Sequence, residues 1–136
     1  MKVPKISIIT VGMNHSKYLK DLLPSIFSSN KDDGDIELIY VDNCSKDDSV
    51  EYVKKNYPQV TIINNEKPLG FGENNNKGVM AAHGKYIAII NPDIVLQKDS
   101  LLNLYEFAEK TPEAGVVVPQ LLNSDGSLQY SVRRYI

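Results

Sequence analysis

The sequence predicts an α/β fold: a mostly parallel central sheet flanked by helices, closed at the C-terminal end by a β-hairpin. Three observations predict it. Short β-rich runs alternate with segments whose apolar residues recur at helical spacing. The first run, ISIITV at Ile6–Val11, carries no charge, which suits a strand buried on both faces. Helix-length segments separate the strands, so they pair in parallel through right-handed crossovers.

The elements follow in order. After the first strand, Leu19, Leu22, Leu23, Ile26 and Phe27 mark a helix over Ser16–Ser29, with Pro24 inside it as a kink or as its true start. DIELIYVD is a second strand ending at Asp42. SKDD reads as a capping box in which Ser45 caps the next helix and Asp48 reaches back. That helix carries Val50 and Val53 and stops before Pro58. Val60–Ile63 is a third strand. A helix over Gly72–His83 follows, with Gly84 as its stop. Tyr86–Ile90 is the fourth strand, and Leu101, Leu104, Tyr105 and Ala108 place a fourth helix. AGVVVP is expected as a fifth strand, and Asp125-Gly126 as the turn of the hairpin.

Composition narrows the function. The chain of 136 residues has 42% hydrophobic and 24% charged residues, ordinary for a single globular domain. A formal charge of −2 argues against nucleic acid as a partner. No run is long and apolar enough to predict a transmembrane segment. The opening MKVPKISIITVG has no small-residue cleavage site, so no signal peptide is expected. A single cysteine, Cys44, excludes an internal disulfide and suits a reducing compartment. It reads as an inert thiol, and His15 and His83 match no metal spacing.

In open parallel sheets, ligands bind beyond the carboxyl ends of the strands. Gly12–Asn14, Asp42–Ser45, Asn64–Asn65 and Asn91–Asp93 fall there. Asp42 has two readings: an acceptor for a nucleoside, or a turn residue bonding its own backbone in DNCS. In LGFGENNNKG, Gly70 and Gly72 permit close backbone approach, and a helix N-terminus there would offer N–H groups to a phosphate. The other reading is a glycine-rich turn, although three consecutive asparagines are poor helix formers. Asp93 closes the tripeptide Asn91-Pro92-Asp93. Pro92 fixes its own φ and holds Asn91 extended, which aims the carboxylate. Divalent ions often use one or two carboxylates plus substrate phosphates, so Asp93 reads as a metal ligand or as part of a simple turn. Arg133 and Arg134 read either as partners of a diphosphate or as solvated cations.

KISIITVGMNHSKYLKDLLPSI, ELIYVDNCSKDDSVEYV, NEKPLGFGENNNKGVMAAHGKYIAIINPDIVL and VVPQLLNSDGSLQYSVRR occur in one order. Together they resemble the amino-terminal half of family-2 glycosyltransferases, the inverting enzymes of the GT-A fold. The nearest likeness is to bacterial rhamnosyltransferase-like members that build surface polysaccharides. The resemblance implies a Rossmann-like GT-A domain over residues 1–136, truncated at its C-terminal end relative to the full enzyme. It implies transfer of a sugar from a UDP- or dTDP-linked donor to a glycan or lipid-linked acceptor. It implies Mg²⁺ or Mn²⁺ as cofactor, and work in the cytoplasm, at the inner face of the membrane. By the same resemblance, Val11 and Asn14 edge the base, and Asp42 with Asn43 binds base or ribose. Gly70, Phe71, Gly72 and Asn76 lie near the nucleotide-sugar, and Asp93 is the last carboxylate of a DxD-type metal motif. Met13 and Asn91 depart from the pattern, standing where other members have an aromatic residue and an aspartate. No catalytic base is assigned. The alternatives are a non-catalytic nucleotide-sugar-binding module and a sugar nucleotidyltransferase. The second would usually carry a glycine-rich basic loop where this chain has VGMNHSK.

Overall fold

The computed structural model describes residues 3–28 and 35–129. Four parallel strands form one sheet: β1 (Ile6–Gly12), β2 (Ile36–Asp42), β3 (Thr61–Asn64) and β4 (Tyr86–Ile89), in the order β3-β2-β1-β4. The helices are α1 (Ser16–Ser28), α2 (Ser49–Asn56), α3 (Phe71–Met80) and α4 (Ser100–Lys110). This is the parallel, helix-flanked arrangement that the sequence predicts. Register places Gly12 beside Asp42 and Asp42 beside Asn64, so three loops leave the sheet at one level. β4 joins the other side of β1 and ends lower, with Ile89 opposite Ile9.

The inner strands β1 and β2 are covered on both faces, whereas Ile87 and Ile89 of the outer strand β4 stay exposed. On one face, Ile6, Ile8, Leu38 and Tyr40 pack with Leu19, Leu22, Leu23 and Ile26 of α1, Val53 of α2 and Leu101 of α4. Each fully buried leucine or isoleucine contributes about 1.5–3 kcal/mol. On the other face, Ile9, Ile39 and Val41 form a smaller cluster, with Ala81 and Ala82 packed against it. α3 approaches this face closely because residue 78 is glycine: a Cβ there would overlap the Ile9 side chain. Pro24 does not start α1; it lies inside the helix on the exposed side, while Leu22, Leu23 and Ile26 stay buried.

Three expectations are corrected. Ser45 does not cap α2. Its hydroxyl accepts the Asn14 N–H, and α2 begins later, with Asp48 as N-cap and no side-chain capping bond. AGVVVP forms no strand: the segment pairs with none of the four described strands, and Val116 and Val118 are exposed. The hairpin turn forms where it is expected, around Gly126 at φ 82°: among the described residues Leu122 and Leu128 form an antiparallel bridge, and the Gln129 N–H donates to the Leu121 carbonyl. Gly84 is not the stop of α3, which ends at Met80 with Ala81 as C-cap. The end of the first helix at Ser29, and Arg133 and Arg134, lie outside the described residues.

At the amino end of the sheet, Glu37 gathers three donors. It accepts from the Ser7 hydroxyl and, at 2.8 Å, from the His83 N–H, and its other oxygen lies 2.8 Å from His83 Nδ1. Burial pushes the Glu37 carboxyl up, but the bonds from Ser7 and His83 outweigh it and hold the group below its ordinary value of 4.5. A depressed carboxylate stabilises the fold above its unfolded value and loses that contribution as pH falls through the folded one. Glu37→Gln should therefore cost about 1 kcal/mol at pH 7. It should also lose less stability than the wild type between neutral and acidic pH. Thermal melts across that range check both.

Candidate functional site

The chain order creates the site. β1 is followed by β2 and β3 on one side, and the chain then crosses back to place β4 on the other. The switch point lies between β1 and β4, at the carboxyl ends of parallel strands, where such sheets bind ligands. The loops after all four strands share this rim.

Asp42 ends β2 and is buried, at 4% exposure. One oxygen accepts the Tyr40 hydroxyl at 3.1 Å and the other the Ser45 N–H at 3.0 Å. Both readings of Asp42 thus meet in one side chain: it holds its own turn, and a carboxylate keeps lone pairs for a further donor. Burial pushes the Tyr40 hydroxyl well above its ordinary value, so it remains a neutral donor. Gly12 is required beside it, since a Cβ there would stand 2.5 Å from Tyr40 Oη.

Asn14 adopts φ 58° and, although exposed, binds the neighbouring loop. Its N–H donates to Ser45 Oγ at 2.9 Å, and its Oδ1 accepts the Lys46 N–H at 2.7 Å. Asp47 adds a second link, accepting the N–H groups of Ser16 and Ser49 at 3.0 Å each. Burial raises the Asp47 carboxyl, and these donors more than offset it. The loops after β1 and β2 are therefore one unit. Val11 is half-buried against the smaller cluster of the α3 face. Asn43 bonds Leu69 twice, accepting its N–H at 2.8 Å and donating to its carbonyl at 3.1 Å. The Cys44 thiol, at φ 64°, donates to the Asn65 carbonyl.

Gly70 is the N-cap of α3, with extended backbone and no side-chain cap. The first N–H groups of a helix have no intrahelical acceptor. Nothing lies within 4 Å of where a Cβ would stand on Gly70 or Gly72. Neither glycine is demanded by internal packing, and the helix end is open to approach. Phe71 is 66% exposed beside it. Asn76 is exposed, whereas its neighbours Asn74 and Asn75 are buried.

Asp93 is exposed on a turn anchored from both sides. The Ile90 N–H donates to the Ile9 carbonyl, Pro92 is buried, and the Leu96 N–H donates to Ser25 Oγ at 3.0 Å. A hard divalent ion accepts such a carboxylate oxygen, but no group of three His, Cys, Asp or Glu side chains that could hold a metal occurs among the described residues. The donor set therefore fits an ion held mainly by a ligand's phosphates.

The structure gathers Asn14, Asp42, Asn43, Gly70, Phe71 and Gly72 on linked loops, and sets Asp93 on the far side of β1. Asn65, placed on the rim by the sequence, and Asn74 of the asparagine run become linking residues, a role the sequence did not assign them, and Asp47 joins them as a residue it did not single out. The signals were the second asparagine after β3 and the NNN run.

Polar loops at the switch point of a parallel sheet mark the class of α/β proteins that bind a ligand beyond their strand ends. Within that class the chain belongs to a known family: residues 7–135 match Glycosyl transferase family 2. It is 31% identical over 139 residues to the rhamnosyltransferase WbbL of Escherichia coli, covering 96% of this chain and 50% of that protein. Staphylococcus aureus TarS 1–349, solved in complex with UDP-GlcNAc, superposes with a TM-score of 0.74 at 24% identity, covering 85% of this chain and 37% of that one. The mannosyltransferase PcManGT of Pyrobaculum calidifontis, solved with GDP-Man and Mn²⁺, gives a TM-score of 0.71 at 19% identity, covering 79% and 33%. These two likenesses establish the GT-A fold. The chain spans half or less of each of these proteins. Family and fold are thus established, while these relatives are named for different sugars.

Proposed function

We propose that this chain is the donor-binding part of an inverting glycosyltransferase. The whole enzyme would move a sugar from a nucleoside-diphosphate-sugar to an acceptor hydroxyl in the synthesis of surface polysaccharide or cell-wall glycan. The observation that carries this reading is the membership of family 2 over nearly the whole chain, joined to a rim on which polar loops converge. Val11 and Asn14 edge the base, and Asp42 and Asn43 take base or ribose. Gly70, Phe71, Gly72 and Asn76 lie along the diphosphate-sugar, with the open helix end facing the phosphates.

Asp93, aimed by Pro92, would hold Mg²⁺ or Mn²⁺ together with the diphosphate. A bound divalent ion supplies Lewis-acid stabilisation of the charge that develops on the leaving phosphate. The chain's own residues would bind and orient the donor, and none of them is assigned as the general base. No helix among the described residues is long and apolar enough to cross a membrane. Support for a cytoplasmic enzyme working on a lipid-linked or glycan acceptor at the inner membrane face comes from the family resemblance.

The test is a thermal-shift panel of UDP, dTDP, GDP, CDP and NAD, each with and without Mn²⁺, on the wild type and Asp93→Ala. Ligand at a hundredfold excess over Kd stabilises a fold by about 2.7 kcal/mol. A metal-dependent shift with one diphosphate, lost in Asp93→Ala, is expected. A shift that survives the substitution would remove Asp93 from the metal site. No shift with any diphosphate, in this chain or in the longer protein, would sink the donor-site reading.

A further inference from the structure

A set of asparagine side chains joins the two halves of the rim. Asn65 Nδ2 donates to Asn43 Oδ1 at 3.0 Å and to Asn74 Oδ1 at 2.5 Å. Asn74 Nδ2 donates to the carbonyls of Leu69 and Gly70, each at 3.0 Å. Asn43 holds both polar groups of the Leu69 backbone. Lys77 Nζ donates to Asn65 Oδ1 at 2.9 Å, and the Asn65 N–H donates to the Asp42 carbonyl at 2.9 Å. Asn74 is 1% exposed, so its amide is buried under the start of α3.

This arrangement is costly for a helix. Asparagine is a poor helix former, and a buried amide must be fully satisfied. Asn74 meets that demand by bonding the carbonyls of the two residues that enter α3. Those bonds fix the backbone at Gly70, and with it the direction of the Phe71, Gly72 and Glu73 N–H groups. Through Asn65 and Asn43, the same amides fix that direction relative to Asp42. The network therefore sets the spacing between the end of β2 and the start of α3, two places that a single extended ligand would touch.

We propose that Asn74 and Asn65 are positioning residues that hold the open end of α3 in register with the Asp42–Asn43 loop, so that one nucleoside diphosphate reaches both. This rests on the donor-site reading above, and names which buried groups make that site one piece. Neither side chain needs to touch the ligand. Misplacement of binding groups by about 1 Å can cost a hundredfold in function, so loosening the network should be read in affinity as well as in stability.

The experiment uses the wild type, Asn74→Leu and Asn65→Ser in the protein that carries this chain. Leucine keeps the branched shape of asparagine and adds no charge, so a change in anion affinity cannot come from a new repulsion. Asn65→Ser, at a half-buried position, carries the same test should Asn74→Leu fail to fold. Dissociation constants for UDP, dTDP, GDP and CDP with Mn²⁺ are measured by calorimetry and corrected for the folded fraction. Amide exchange is followed over residues 69–73. The expected result is about tenfold weaker binding of the preferred diphosphate, with faster exchange at Phe71–Glu73. An unchanged dissociation constant in folded variants that melt at lower temperature would make the network purely structural and overturn the inference alone. Failure of the wild type to bind any of the four diphosphates would overturn the donor-site reading and this inference together.

Discussion

Replacing Gly84 with alanine is expected to cost about 3 kcal/mol of stability, towards the upper end of what overpacking produces. A Cβ on residue 84 would stand 2.5 Å from the Ser7 backbone nitrogen, 2.7 Å from Ser7 Oγ and 2.8 Å from the Ile6 carbonyl carbon. These are atoms of the central strand, and no flexible side-chain tip can swing away. The Gly84 N–H also donates to Ser7 Oγ at 2.7 Å, a bond that any displacement would stretch. Relief must come from moving the chain that leads into β4. Since β4 pairs only with β1 among the described strands, the displacement would reach the turn that carries Asp93. Urea titration of Gly84→Ala against wild type measures the stability loss. A loss under 1 kcal/mol would show that β4 can slide without penalty.

The second large effect is expected at Asp42. In Asp42→Ala, the Tyr40 hydroxyl and the Ser45 N–H both lose their acceptor in a buried setting. Each abandoned donor costs about 1–3 kcal/mol, so a total loss of about 2–6 kcal/mol is expected. Asp42→Asn keeps the shape and one acceptor oxygen, and should recover part of that loss. The pair separates the two roles of this residue. If Asp42 also accepts from a nucleoside, folded Asp42→Asn will bind a diphosphate more weakly than wild type does. If it serves the turn alone, the asparagine variant will differ in its urea midpoint and not in its dissociation constant.

The sequence made most of the sheet and its helices readable, because strands buried on both faces and amphipathic helices differ in period. The failures share a cause. GVVVP has the β-branched composition of a strand, yet a strand needs a partner in register, and no local pattern records whether the chain brings the segment to one. The SKDD segment has the residues of a capping box, but Asp42 takes the Ser45 N–H and Asn14 takes the Ser45 hydroxyl. Those partners are set by the meeting of two loops, which spacing along one loop does not reveal. Gly84 looked like the end of a helix; its real constraint is the backbone of β1. The candidate site was legible as a rim, since a parallel topology alone brings strand ends together. Its internal wiring was not: Asn43, Asn65 and Asn74 belong to three different segments, and only folding makes them neighbours.

The order of strands in the sheet also bears on how the molecule assembles. Ile6 meets Ile36 after one short crossover, but meets Tyr86 only when two further helices and β3 have been gathered in. Contacts between residues far apart in the chain form late, because the entropy of closing the loop precedes any gain from the pairing. The β1–β2–β3 half, with Asp42 and the loops around it, is thus the early-forming part. The corner bearing Asn91, Pro92 and Asp93 docks last, and in a weakened variant it is expected to detach first, leaving the opposite half of the sheet still folded.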